Sequence, residues 1–195
     1  MALRQIRQYG DDILKKKAKA VQAFDSGLHR LLDDMWDTLR EHDGLGLAAP
    51  QIGILRQVIV IELEEDAYEL INPVIVESSG SEVKTEACLS VPEKQGDVER
   101  PTYVKIEAMD RYGTPYVIEA DDELLPTALC HELDHLEGIL FLDRAIKIQD
   151  RPLEEDEVPR SKRDKEDKKD KKGKKVSKIS MKKQRPKAEK RAAGR

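Results

Sequence analysis

The apolar positions of the chain change their spacing twice and then disappear. From Asp25 onward, Leu28, Leu31, Leu32, Met35, Trp36 and Leu39 recur at intervals of three and four, which places them on one face of an α-helix. Asp25 or Ser26 suits its N-cap and Gly44 its stop, and the stripe, Trp36 included, reads as core. Residues 1–24 are polar and read as extended or looped. Over 57–119 the alternation becomes that of strands, at 57–63, 68–71, 74–77, 82–85, 104–109 and 116–119. Turn signals at Asn72-Pro73, Ser78-Ser79-Gly80, Pro92 and Arg111-Tyr112-Gly113 separate them. Connections this short leave no room for crossover helices, so the sheets are expected to be antiparallel.

A second helical pattern follows, with Leu124, Leu125, Ala128, Leu129, Leu133 and Leu136 as apolar positions. Asp121 and Asp122 precede it as capping carboxylates, and Gly138 is placed to end it in the left-handed conformation. Residues 139–142 read as a short apolar strand. The expectation is an α+β fold: antiparallel sheets packed around this second helix, preceded by an N-terminal helix.

Composition changes that picture at one end. The chain is 38% charged and 4% aromatic, and the charge is unevenly placed. Residues 151–195 hold 19 Lys/Arg against 9 Asp/Glu, whereas residues 1–150 hold 16 against 30. An acidic body is joined to a basic arm. The arm has no aromatic residue and too few apolar ones to offset its ordering entropy, so it is expected to be disordered. We therefore divide the chain into a domain at 1–150, long enough to bury a core, and a lysine-rich tail at 151–195. Two cysteines do not make a disulfide framework, and no stretch reads as a signal peptide or membrane span. The expected setting is the reducing cytoplasm.

The second helix carries the chemistry. His131 and His135 lie one turn apart in His131-Glu132-Leu133-Asp134-His135, so both imidazoles can reach one divalent ion. Glu132 follows the first His closely enough to handle a proton of a water beside that ion. Two ligands need a third. Peptidases with this motif take it from downstream, where this chain offers Glu137, too close in sequence, then Asp143 and the tail, and no histidine. Upstream, Cys88 in Glu86-Ala87-Cys88-Leu89-Ser90 completes a Cys-His-His set with an open fourth position. A third segment, Gly44-Leu45-Gly46-Leu47-Ala48-Ala49-Pro50-Gln51, satisfies G-x-G-x-x-A literally. A helix precedes it and a β-rich run follows, the reverse of the dinucleotide-binding context, so it reads as a tight small-residue loop.

Together these three segments, in this order and at these separations, resemble the signature motifs of the bacterial peptide deformylase family, over about residues 3–145. The segment Tyr9-Gly10-Asp11-Asp12-Ile13-Leu14 is similar to the family's N-terminal stretch. Two positions depart from the family's pattern: Ala87 stands where Gly is usual, beside the presumed substrate strand, and Gly10 where Pro is usual.

The resemblance implies a metal-dependent hydrolase that removes the N-formyl group from the formyl-methionine of nascent chains and releases formate. It implies Cys88, His131 and His135 as metal ligands and Glu132 as general base. The Gln51 amide and the Leu89 backbone N–H would steady the oxyanion. The substrate backbone would pair near Leu45, Gly46 and Ala87, and its methionine would enter a pocket drawn from Leu45, Leu125, Leu129 and Leu136. Arg100 would hold substrate or Glu86. Fe2+ is the implied metal, although ligand softness equally allows Zn2+, Ni2+ or Co2+. Cys130 is read as a small buried residue. Lysine pairs such as Lys168-Lys169 and Lys171-Lys172 suggest contact of the tail with ribosomal RNA. The competing readings are a metallopeptidase, and a ribosome- or nucleic-acid-associated protein with a structural metal.

Overall fold

The computed structural model describes residues 2–64 and 66–151, which fall within one unit, Met1–Pro152. The predicted basic tail lies outside the described residues, apart from Arg151. Helix α1 (Ser26–Glu41) starts as expected: the Asp25 side chain accepts from the N–H groups of Gly27 and Leu28. It ends at Glu41, ahead of the predicted stop, with Asp43 in a left-handed conformation. Leu28, Leu32, Met35 and Leu39 are fully buried, and Trp36 packs beside them while its indole N–H donates to Glu69 at 2.7 Å.

Strands β1 (Gly46–Ala48), β2 (Val58–Leu63), β3 (Asp66–Ser79), β6 (Tyr103–Met109) and β7 (Pro115–Ala120) form a five-stranded sheet. Strands β4 (Glu82–Cys88), β5 (Val91–Arg100) and β8 (Lys147–Asp150) form a three-stranded sheet. Every named pairing is antiparallel, and the order β1-β2-β3-β6-β7 leaves β1 at an edge. Helix α2 (Leu125–Leu136) packs on β1 and β2, sharing a core with Ala48, Ile59, Ile61, Leu70 and Ile106. Asp122 caps it through the N–H groups of Leu124 and Leu125, and Gly138 ends it at φ +74°. No described helix is long and apolar enough to cross a membrane.

Several local expectations are corrected. Asn72-Pro73 is a bulge inside one long strand, not a turn. Asn72 takes φ +52°, and its amide side chain bonds both the N–H and the C=O of Val21, at 2.7 and 3.0 Å. Pro92 lies inside β5, and the chain reverses at Leu89-Ser90 instead. Residues 139–142 are not a strand. Asp143 accepts the Leu140 N–H at 2.8 Å, which starts a one-turn helix α3 (Phe141–Arg144) and buries Phe141 among Leu14, Cys88 and Val98. β1, β5 and β8 were not expected as strands.

Candidate metal centre

Strand alternation and helix periodicity bring the three predicted ligands together. Cys88 ends β4, and α2 carries His131 and His135 on one face. All three are buried, and one donor atom from each lies within 4.8 Å of the others. Cys88 Sγ stands 3.3 Å from His135 Nε2, and the two imidazoles meet edge to face with centroids 5.0 Å apart. Phe141 stacks over His131 at 6.3 Å and walls the site with a ring.

Glu86 sets the tautomer of His131. It lies two residues before Cys88, hence on the same face of β4, and its Oε2 is 2.7 Å from His131 Nδ1. A carboxylate on Nδ1 leaves Nε2 free for the ligand position. Burial opposes charge on His131, but the Cys88 sulfur and the Glu86 carboxylate outweigh it and hold the ring's pKa well above its usual value. Surroundings that retain a proton there also suit a cation in its place. Burial and the neighbouring His131 hold His135 well below its usual value, so it stays a neutral donor. The donor set therefore fits a divalent ion.

Two buried side-chain atoms among the described residues have no hydrogen-bond partner: Glu132 Oε2 and His135 Nδ1. Buried polar atoms are normally paired, so a carboxylate oxygen without a protein partner next to the Cys-His-His cluster is free to bond a group held there. Burial pushes the Glu132 carboxyl up to about 7, against the pull of a cationic His131. That value suits a group which both takes and returns a proton.

Gln51 is 1% exposed in the short 3₁₀ helix Ala49–Ile52 that follows β1. Its Oε1 accepts the Ala48 N–H at 2.7 Å, which turns Nε2 toward Cys88 Sγ at 3.5 Å and Ser90 Oγ at 3.4 Å. Leu89 follows Cys88 directly at the end of β4. Gly46 lies against the Glu132 side chain, Leu45 is 53% exposed, and Ala87 is exposed on β4. Leu129 is fully buried and Leu125 nearly so, within the core beneath β1. Leu129 thus has no free surface with which to line a pocket. Cys130 is buried as expected, and burial pushes its thiol up to about 11.

Arg100 requires a correction as a substrate contact. Its guanidinium donates to both oxygens of Glu86, at 2.6 and 3.0 Å, and to Asp134 Oδ2 at 2.7 Å, and the side chain is 5% exposed. Arg144 donates to both Asp134 oxygens, at 2.6 and 2.7 Å. The result is a continuous series of charged contacts, Arg144–Asp134–Arg100–Glu86–His131, ending on a ring of the Cys-His-His cluster. The roles of Asp134 and Arg144 escape sequence reasoning. Glu86 did leave a signal, two residues from Cys88 on one strand face.

A buried cysteine and two imidazoles close enough to share one divalent ion, with a buried carboxylate beside them, define the class: a metal-dependent hydrolase site built from a helix and a strand of an antiparallel sheet. The polypeptide deformylase family model matches residues 3–151. Peptide deformylase 1 of Clostridium acetobutylicum is 54% identical over 144 residues, covering 74% of this chain and 95% of that one. The crystal structure of peptide deformylase from Thermotoga maritima superimposes with a TM-score of 0.73 at 35% identity, over 75% of this chain and 100% of that one. A Met-Ala-Ser-bound structure of class I type b peptide deformylase from Acinetobacter baumannii gives 0.71 at 34% identity, over 73% and 98%. The chain belongs to the peptide deformylase family and is an enzyme of that activity, the hydrolytic removal of the N-formyl group from nascent peptides. The metallopeptidase and structural-metal readings are thereby set aside.

Proposed function

We propose that Cys88, His131 and His135 hold one divalent ion, that Glu132 is the general base, and that Gln51 Nε2 and the Leu89 N–H receive the oxyanion. The observation that carries this reading is the ligand cluster within 4.8 Å beside the unpaired, buried Glu132 Oε2. When bound, the ion supplies Lewis acidity toward the formyl oxygen and toward a neighbouring water. Glu132 takes the proton of that water and returns it to the leaving amine. Gln51, its Oε1 held by the Ala48 N–H, presents its amide as charge develops, a contribution of about 3 kcal/mol in comparable sites.

The substrate is a chain beginning with formyl-methionine, whose extended backbone adds to the open edge of β1 near Leu45 and Gly46 and reaches Ala87 on β4. Leu45, which is exposed, supplies apolar surface for methionine, whereas Leu136, like Leu129, is buried in the core. Fe2+ is the proposed metal, with Zn2+, Ni2+ and Co2+ as working substitutes. The enzyme acts in the cytoplasm, and its lysine-rich tail contacts ribosomal RNA. Net charge of +10 over 151–195 supports that partner.

Formate release from formyl-Met-Ala-Ser, with unformylated and internally cleavable peptides as controls, tests the activity. Glu132→Gln is expected to keep the metal and lose at least about a hundredfold in kcat. Cys88→Ala is expected to lose the metal itself, read by elemental analysis. A Glu132→Gln variant with wild-type turnover would refute the assignment.

A further inference from the structure

We infer that residues Arg7–Tyr9 are a strap that sets the spacing between the two oxyanion donors, the Gln51 amide and the Leu89 N–H; the inference rests on the roles proposed above for those two groups. The two donors come from different sheets. Gln51 follows β1 of the five-stranded sheet, and Leu89-Ser90 joins β4 to β5 of the three-stranded one. Their direct links are a long bond from Gln51 Nε2 to Ser90 Oγ, at 3.4 Å, and a weak one to Cys88 Sγ, at 3.5 Å.

The strap spans the same gap with shorter bonds. The Arg7 N–H donates to Gln51 O at 2.7 Å, and the Tyr9 N–H to Ser90 O at 2.8 Å. Between them, Gln8 Nε2 donates to Leu89 O at 3.3 Å. Three consecutive residues thus hold the main chain of both donor segments, while all three remain exposed.

Both ends of the strap are anchored. On the buried face of α1 stand two polar residues, Asp34 and Thr38, 6% and 0% exposed. Buried polar groups are costly unless bonded, and here they bond the N-terminal segment. Asp34 accepts from the Ala2 N–H at 2.8 Å and from the Arg4 guanidinium at 2.6 and 2.9 Å, and Thr38 Oγ1 accepts from the Arg4 N–H at 3.0 Å. Ile6 is buried just before the strap. Just after it, Asp11 caps the short 3₁₀ helix Asp12–Lys15, whose Leu14 is buried in one cluster with Cys88 and Val91. A segment fixed at both ends and bonded in the middle transmits position. Arg7, Gln8 and Tyr9 are positioning residues, acting through Gln51 and Leu89.

The test uses the metal-loaded enzyme with formyl-Met-Ala-Ser as substrate. One variant is Gln8→Ala, at an exposed site, with its fold checked by circular dichroism. The other replaces Tyr9 by its α-hydroxy analogue through a suppressor tRNA, which removes the N–H and keeps the side chain. The backbone ester is expected to lower kcat about three- to tenfold, short of the roughly hundredfold loss of a whole donor. KM should stay within about twofold, and metal content should be unchanged. In a Gln51→Ala background the ester should cost much less, because its effect runs through that amide. Gln8→Ala should follow the same pattern more weakly. Unchanged kcat, a loss fully additive with Gln51→Ala, or a loss that tracks metal content would each overturn the inference. A Gln51→Ala variant with undiminished kcat would overturn the oxyanion assignment instead.

Discussion

Gly46 and Glu132 touch so closely that position 46 has no room for a side chain. A β-carbon there would stand 2.6 Å from Glu132 Oε1 and 2.9 Å from its Cγ. Glu132 is 4% exposed on a helix packed against β1 and β2, so it cannot retreat cheaply. The small-residue loop seen in the sequence is therefore the surface on which the proposed base rests. Gly46→Ala is expected to lower kcat by about one to two orders of magnitude, through misplacement of the carboxylate, while metal content stays at one per chain. Steady-state kinetics alongside elemental analysis checks this, and an alanine variant of normal turnover would refute it.

The Arg100 guanidinium compensates two buried carboxylates at once, Glu86 and Asp134. Removing it leaves buried charge unpaired, which costs about 3–5 kcal/mol. Arg100→Ala should therefore lower the stability of the metal-free protein by that amount in urea denaturation. Arg100→Lys restores a charge but not the fork that serves both oxygens of Glu86, so it should recover only part of the loss. A cost below about 1 kcal/mol for Arg100→Ala would show that the ion series carries no net compensation.

Much of the site was legible because each proposed ligand sits where a period is strict. His131 and His135 share a helix face by spacing alone, and Cys88 stood out only because the two histidines lacked a downstream partner. What could not be read depends on contacts between distant segments. Strand β5 carries Pro92, Lys94, Gln95, Gly96 and Asp97, a poor strand by composition. It forms because β4 and β8 pair with it on both sides, and at Gly96 a side chain would meet Phe141 and Ala145. Arg100 was placed near the site but given two possible partners. Only the packing of α2 against β5 brings Asp134 to it and leaves its guanidinium buried between two carboxylates. The Asn72 bulge looked like a turn because its real partner, Val21, lies 51 residues away.

Glu69 ties α1 to the turn after β6. It accepts from the Trp36 indole N–H and from the Arg111 guanidinium. Burial raises its pKa, but the Arg111 and Trp36 hydrogen bonds outweigh burial and hold the carboxyl below its usual value of 4.5. A depressed folded-state pKa means the stabilisation is complete above about 4.5 and is lost as pH falls through the lower folded value. Glu69→Gln should lower the melting temperature near neutrality and flatten its fall on the acid side. Parallel melting curves for the variant and the parent from pH 7 to pH 3 would refute this.

Gly138 and Gly10 separate two costs of placing a side chain on left-handed backbone. Gly138 has φ +74° and ends α2 three residues after His135; a β-carbon there would stand 2.6 Å from both the C and the O of Lys15. Gly10 has φ +102° with nothing within 4 Å of that position. Gly10→Ala therefore meets backbone strain alone, about 1–2 kcal/mol. Gly138→Ala meets the same strain plus a backbone collision that no rotamer relieves. It should cost at least about 2 kcal/mol more than Gly10→Ala in urea denaturation. The shift should also reach the ligands, because the Ala18 N–H donates to Leu136 O at 2.7 Å and fastens the N-terminal segment to the end of α2. Pushing that segment away displaces His135, so Gly138→Ala should weaken metal retention against a chelator while Gly10→Ala leaves it unchanged. Equal stability losses, or equal metal retention, in the two variants would show that the collision is absorbed locally.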